Sequence, residues 1–346
     1  MRALKKKYIL NFKRPSGTSR GVLKTKETWF LQIEQEGLVG IGECALFRGL
    51  SADDTPLYEE KLQWLCDQLE VGNKIPSEAL KEFPSIQFGL ETALKSIQGS
   101  DPFHIFPSMF TDGRAQIPIN GLVWMGDFDF MRKQIIEKIH QGFSCIKLKI
   151  GAIDFDEELQ LLSLIRKEFS SKDIELRVDA NGAFSPDDAL EKLKQLAQFD
   201  LHSIEQPIKP KQWEKMAHLC EQSPLDIALD EELIGVFYRE QKVQLLRDIK
   251  PQYIILKPAL VGGFSGSEEW ISVAEDQSIK WWVTSALESN IGLNAIAQWT
   301  YSLGNFVTQG LGTGGLFTNN FDSPLVVKSG NLHFQPEVDW NYNFHI

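Results

Sequence analysis

The chain has 346 residues, 42% hydrophobic and 24% charged, enough for one large domain plus a smaller one with an ordinary globular composition. Its formal net charge of −11 argues against a nucleic-acid partner, which needs a basic face. No stretch approaches the ~20 apolar residues of a membrane span, and the apolar run after Lys5, Lys6 and Lys7 is too short for a signal peptide. Four cysteines (Cys44, Cys66, Cys145 and Cys220) are scattered without a CxxC pair or zinc spacing. They read as buried free thiols in a reducing compartment, which places the protein in the cytoplasm.

Residues 1 to about 50 read as a β-meander, with strands at Lys7–Phe12, Thr28–Ile33 and Gly37–Glu43. The polar, glycine-bearing stretch 13–21 between the first two is either a lid or a plain hairpin connection. Its Ser19, Arg20 and Gly21, with Phe47 and Leu50 further on, are candidates for shaping specificity. Apolar residues at helical spacing then predict helices over 57–69 and 86–97. A meander followed by helices, ahead of a change in rhythm, predicts an α+β capping domain over residues 1–115.

From Gln116 the texture becomes βα repetition. Strands are predicted at Ile117–Asn120, Cys145–Ile150, Ile174–Asp179, His202–Glu205, Asp226–Asp230, Tyr253–Lys257, Trp281–Ser285 and Phe306–Gln309. Helical stretches fill the gaps, and Ser185-Pro186 opens one with a capping hydroxyl and a first-turn proline. Eight strands with intervening helices predict an α/β, TIM-like barrel over residues 116–320. Residues 321–346 lose the rhythm. Short strands around Ser329-Gly330-Asn331 return them to the capping domain.

Polar groups stand at the ends of the apolar runs with a near-constant period. From Lys149 the step to Asp179 is 30, to Glu205 26, to Asp230 25, to Lys257 27 and to Ser285 28. In such a barrel these are carboxyl ends of strands, where functional groups gather. Alternation in Cys145-Ile-Lys147-Leu-Lys149 puts both amines on one face of the strand. Neighbouring strands lie ~5 Å apart, so Asp179, Glu205 and Asp230 converge. Three anions that close need a cation, and hard oxygen ligands select Mg²⁺ or Mn²⁺. Lys149 and Lys257 then face each other across the mouth, suited to removing a proton α to a carboxylate. Crowding by Lys147, Lys257 and the metal is expected to lower the Lys149 amine toward the working pH.

The motifs Lys147-x-Lys149, Asp179-x-Asn181, Glu205-Gln-Pro207, Asp230-Glu231, Lys257-Pro258 and Ser285-x-x-x-Ser289, in that order, resemble the enolase superfamily, muconate-lactonizing subgroup. The resemblance spans the chain and implies a (β/α)₇β barrel with a cap from both termini. It implies Lys149 as general base and acid, Lys147 as its electrostatic neighbour, and Lys257 as the amine on the opposite face. Asp179, Glu205 and Asp230 would hold the metal, backed by Asn181 and Glu231. The mandelate-racemase branch is excluded, because only His202, His218, His333 and His345 follow residue 140 and none stands where that branch needs one.

Within the subgroup, Arg177 and Ser285 match substrate-contacting positions of dehydratases. The run Gly310-Leu-Gly312-Thr-Gly-Gly315 lacks the acidic pair of dipeptide epimerases. Its glycines, Gly312 among them, either offer backbone N–H groups to an anion or form a close-packed turn. The resemblance thus implies a Mg²⁺-dependent carbon–oxygen lyase. Its reaction would be syn dehydration of a cyclohexadiene succinate carboxylate through an enediolate, in menaquinone synthesis. The alternative is a dipeptide epimerase or N-acylamino acid racemase, and a non-catalytic binding barrel is the reading from another class. The implied partners are a small-molecule carboxylate and, in a family of dimers and octamers, further copies of the chain.

Overall fold

The structure is a computed structural model that describes residues 1–18, 21–99 and 101–341. Ser19, Arg20 and His345 lie outside the described residues. The chain opens with the antiparallel strands β1 (Arg2–Thr18), β2 (Gly21–Gln35) and β3 (Leu38–Cys44), followed by helices α1 (Tyr58–Glu70) and α2 (Pro84–Ser96). β1 runs through the stretch expected to be a loop, so 13–18 are strand, with a register shift between Asn11 and Ser16.

β2 is the middle strand, and alternation sorts its side chains onto two faces. Trp29, Leu31 and Ile33 pack with Leu62, Leu65, Ile86 and Leu90 of the helices. Phe30 turns the other way, to Ile41, Phe103 and Ile291, with Phe321 and Trp340 from the tail. Backbone meets backbone where β3 crosses α2. A Cβ on Gly42 would overlap the Gly89 carbonyl, and one on Gly40 the Ala93 carbonyl. Gly42→Ala is therefore expected to destabilise by about 1–3 kcal/mol, the range for overpacking a close contact. A urea melt with an unshifted midpoint would overturn this.

The remaining elements alternate: β4 (Gln116–Pro118), β5 (Gly121–Val123), α3 (Phe128–His140), β6 (Cys145–Lys149), α4 (Phe155–Glu168), β7 (Glu175–Asp179), α5 (Pro186–Ala197) and β8 (Ser203–Glu205). Then follow α6 (Trp213–Gln222), β9 (Ile227–Leu229), α7 (Arg239–Ile249), β10 (Tyr253–Leu256), α8 (Pro258–Val261), α9 (Gly263–Asp276), β11 (Lys280–Val283) and α10 (Asn290–Ser302). Strands β5 to β11 form one parallel sheet in sequence order. Ser185 caps α5, its hydroxyl accepting from the Asp188 N–H at 3.3 Å.

Both ends of this sheet differ from expectation. The expected first strand, Ile117–Asn120, is divided: β4 leaves to pair with a strand of the tail, Asn331–Phe334, and β5 supplies the parallel strand. The expected eighth strand is reduced to two parallel bridges, Ile119 to Gln309 and Thr284 to Gly310. Phe306 and Val307 are exposed. Those bridges join both sheet edges to one two-residue segment, which closes the curled sheet.

The tail also divides. The hairpin of β12 (Leu325–Lys328) and β13 (Asn331–Phe334) pairs with β4, while Phe321 and Trp340 return to the first sheet. All four cysteines are buried free thiols. Among the described residues no helix is long and apolar enough to cross a membrane.

Candidate active site

Register places the polar groups in rows. Lys149 is opposite Asp179 and Asp179 opposite Glu205, on three successive strands. Lys147 is opposite Arg177, one layer deeper. Asp230 follows β9 directly, and Lys257 follows β10 directly. Lys147, Lys149, Asn181, Lys257, Ser285 and Gly312 line one cavity of about 400 Å³ at the carboxyl ends of the strands. Lys13 to Ser16, Phe47 and Leu50 line it from the N-terminal sheet side.

Asp179, Glu205 and Asp230 are held by the lysines that line the cavity, each carboxylate at most 2% exposed. Lys147 donates to Glu205 at 2.5 Å and stands 3.2 Å from Asp179. Lys149 donates to Asp179 at 2.6 Å and to Asn181 at 2.7 Å. Lys257 donates to Asp230 and stands 3.9 Å from Glu205. Asn181 in turn donates to Glu231 at 3.0 Å.

Burial disfavours the charged form of the carboxyls and of Lys147 and Lys257, and charged neighbours oppose or reinforce it. Against burial, Lys149 and Lys147 hold the Asp179 carboxyl far below the usual carboxylate range. Lys257 likewise lowers Asp230. Burial and the Asp179 charge push Glu205 well up despite Lys147. Burial and Asp230 raise Glu231. Lys147 and Lys257 are buried too, yet the surrounding carboxylates raise both amines.

Among the described residues no three acidic or histidine groups stand together at metal-holding distances. The ammonium groups bridge the carboxylates instead, which differs from the ligand trio expected from the strand spacing. Buried anions must find positive charge, and here lysines supply it. The residues nevertheless fit a divalent cation. Four carboxyls (179, 205, 230 and 231) stand among three lysines (147, 149 and 257), so carboxyl oxygens outnumber the amines that can pair with them. Glu205 Oε1 is buried with no hydrogen-bond partner. An all-carboxylate donor set suits a hard ion such as Mg²⁺.

Arg177 does not join this cavity. It shares a row with Lys147, two residues before Asp179, but its guanidinium turns toward the amino-terminal ends of the strands. There it donates to Glu175 at 2.7 Å and to the Thr308 carbonyl at 3.0 Å, over the Trp282 ring. It lines a second cavity with His202, Tyr253 and Lys280. Ser285 lines the first cavity, but its hydroxyl is taken: it donates to Glu288 at 2.5 Å and accepts from the Leu287 N–H and the Thr313 hydroxyl. The glycine run is close-packed at Gly310, where a Cβ would overlap Thr284, and open at Gly315. Gly312 borders the cavity and would meet only Ile119 and Asn120, at ordinary contact distance. Thr313, Lys26 and Glu43 carried no local signal in the sequence, because their partners are distant along the chain.

A family model described as enolase C-terminal domain-like matches residues 131–337. The chain belongs to that family. This member is 48% identical to an o-succinylbenzoate synthase of Desulfotalea psychrophila over 93% of this chain and 96% of that protein. A crystal structure of MenC from Desulfotalea psychrophila LSv54 superposes on this enolase-like chain with a TM-score of 0.86 at 43% identity, covering 96% of this chain and 99% of that one. The L-Ala-D/L-Glu epimerase of Bacillus subtilis, in a substrate-liganded structure, shares the fold with a TM-score of 0.81 at 20% identity, over 96% of each chain.

Proposed function

We propose that this protein is an o-succinylbenzoate synthase, dehydrating a hydroxycyclohexadiene succinate carboxylate to 2-succinylbenzoate on the way to menaquinone. The observation that carries the reading is the 48% identity to such a synthase along nearly all of both chains. The lysine pair is consistent with it: Lys149 and Lys257 both border one cavity. The arrangement we propose is a (β/α)₇β barrel over 116–320 under an α+β cap from residues 1–115 and 321–346. The protein works in the cytoplasm on a small carboxylate, as a self-assembling oligomer.

Asp179, Glu205 and Asp230 would hold a divalent cation, Mg²⁺ or Mn²⁺, which would supply the positive charge that steadies a substrate carboxylate as it becomes an enediolate. Lys149 takes the proton α to that carboxylate. Lys257, on the other side, presents an ammonium to the enediolate. The enediolate expels the neighbouring hydroxyl, and Lys149 returns its proton to the departing oxygen on the same face, releasing water. One base serving both steps gives a syn elimination. Lys147, bonded to Glu205 and Asp179, keeps the carboxylates in place.

The test is loss of substrate absorbance with purified protein and Mg²⁺. Turnover should vanish in EDTA and return with Mg²⁺ or Mn²⁺. Turnover that persists in EDTA would remove the metal from the reading. Exchange of the α-proton of dipeptides with D₂O, without dehydration, would move the reaction to epimerisation.

A further inference from the structure

A second charged cluster lies behind the cavity wall, where β2 meets the segment between β11 and α10. Lys26, Thr28 and Phe30 share one face of β2, and Lys26 is only 6% exposed. Its amine has no hydrogen-bond partner, and neither has Oε1 of the fully buried Glu288. Burial pushes the amine down and the Glu288 carboxyl up, while attraction between the two opposes both shifts. Glu43 is the other carboxylate close enough to act on Lys26. It is saturated by Thr28, Ser289 and the Gly292 N–H.

From Glu288 a chain of hydroxyls leads to the cavity. The Leu287 N–H takes one lone pair of Ser285 Oγ at 3.0 Å. Two contacts remain to that oxygen, Glu288 Oε2 at 2.5 Å and Thr313 Oγ1 at 2.9 Å, and one must accept its only proton. A carboxylate is a stronger acceptor than a hydroxyl. Ser285 therefore donates to Glu288, and Thr313 donates to Ser285. Leu287 is held with φ at +63°, a left-handed turn that costs a bulky residue energy and aims its N–H at Ser285.

Building on the synthase reading above, we propose that Glu288 is a positioning residue that fixes the polarity of this relay, so that Thr313 accepts a hydrogen bond from the substrate's hydroxyl. Thr313 has spent its proton on Ser285, and only lone pairs remain for the cavity it lines. The ionised carboxylates and ketone of the substrate accept hydrogen bonds but cannot donate them. The hydroxyl that is eliminated can donate, and the product lacks it. The relay thus favours substrate over product.

The experiment compares Glu288→Gln and Thr313→Val with the parent, using kcat/KM for the hydroxylated substrate and calorimetric Kd for 2-succinylbenzoate, both with Mg²⁺. A glutamine at 288 can donate to Ser285 and reverse the relay. The expected result is a loss of about tenfold in kcat/KM, the worth of one neutral hydrogen bond, with product Kd changed less than about twofold. Parallel weakening of product would show a merely structural role and overturn the proposal, as would an unchanged kcat/KM. If Glu288→Gln does not fold, Thr313→Val makes the same comparison alone. A parent protein that neither dehydrates the substrate nor binds the product sinks the synthase reading, and this inference with it.

Discussion

Lys149→Ala will lose about 10²–10⁴-fold in kcat, the range for removing a positioned general acid–base group. Lys257→Ala should fall by a comparable factor for a different reason. Lys149 carries the proton, so its loss should also abolish exchange of the substrate α-hydrogen with D₂O. Lys257 supplies charge on the other face, so its loss should leave slow exchange while dehydration fails. Each variant also strips a carboxylate of a partner, Asp179 in one case and Asp230 in the other. Kinetics should therefore be read beside a thermal melt at the assay temperature. A kcat within tenfold of the parent in folded Lys149→Ala would dismiss it as the base.

Glu43→Ala is expected to be the most destabilising single change, by about 3–5 kcal/mol. Glu43 is fully buried and accepts from the Thr28 hydroxyl at 2.9 Å, the Ser289 N–H at 3.0 Å, the Ser289 hydroxyl at 2.5 Å and the Gly292 N–H at 3.0 Å. Two of these donors are backbone groups at the start of α10, where a negative charge also meets the helix dipole. Truncation leaves the Ser289 and Gly292 groups without this acceptor, leaves Thr28 only the Cys44 carbonyl at 3.2 Å, and leaves Lys26 with less countercharge. Urea unfolding followed by tryptophan fluorescence reads the effect. A loss below about 1 kcal/mol would mean that water replaces the carboxylate without penalty.

Residue type and period made the lysines and acids legible in sequence, because each βα unit delivers one strand end. What remained illegible was depth. Arg177 and Asp179 share a strand face, and the two-residue offset puts Arg177 ~6–7 Å further down the strand. A sequence motif cannot show that such a step crosses to the other mouth. The closing strand was placed a few residues early, because two bridged residues, Gln309 and Gly310, are too few to show alternation. At the other edge, Pro118 and Asn120 sit where one strand hands over to the next, and the apolar pattern runs through both. Lys26 and Glu288 stand 262 positions apart, so no local window joins them.

The spacing of the ionic partners also sets an order of events on the ribosome. Asp179, Glu205 and Asp230 are all synthesised before Lys257, and the segment that closes the sheet comes only at Gln309 and Gly310. A nascent chain that has reached Asp230 thus holds three acids against Lys147 and Lys149, with both edges of its sheet still open. Such a chain cannot neutralise and bury its centre, and exposed strand edges attract other chains. Closure of this sheet therefore waits until Gln309 and Gly310 have left the exit tunnel.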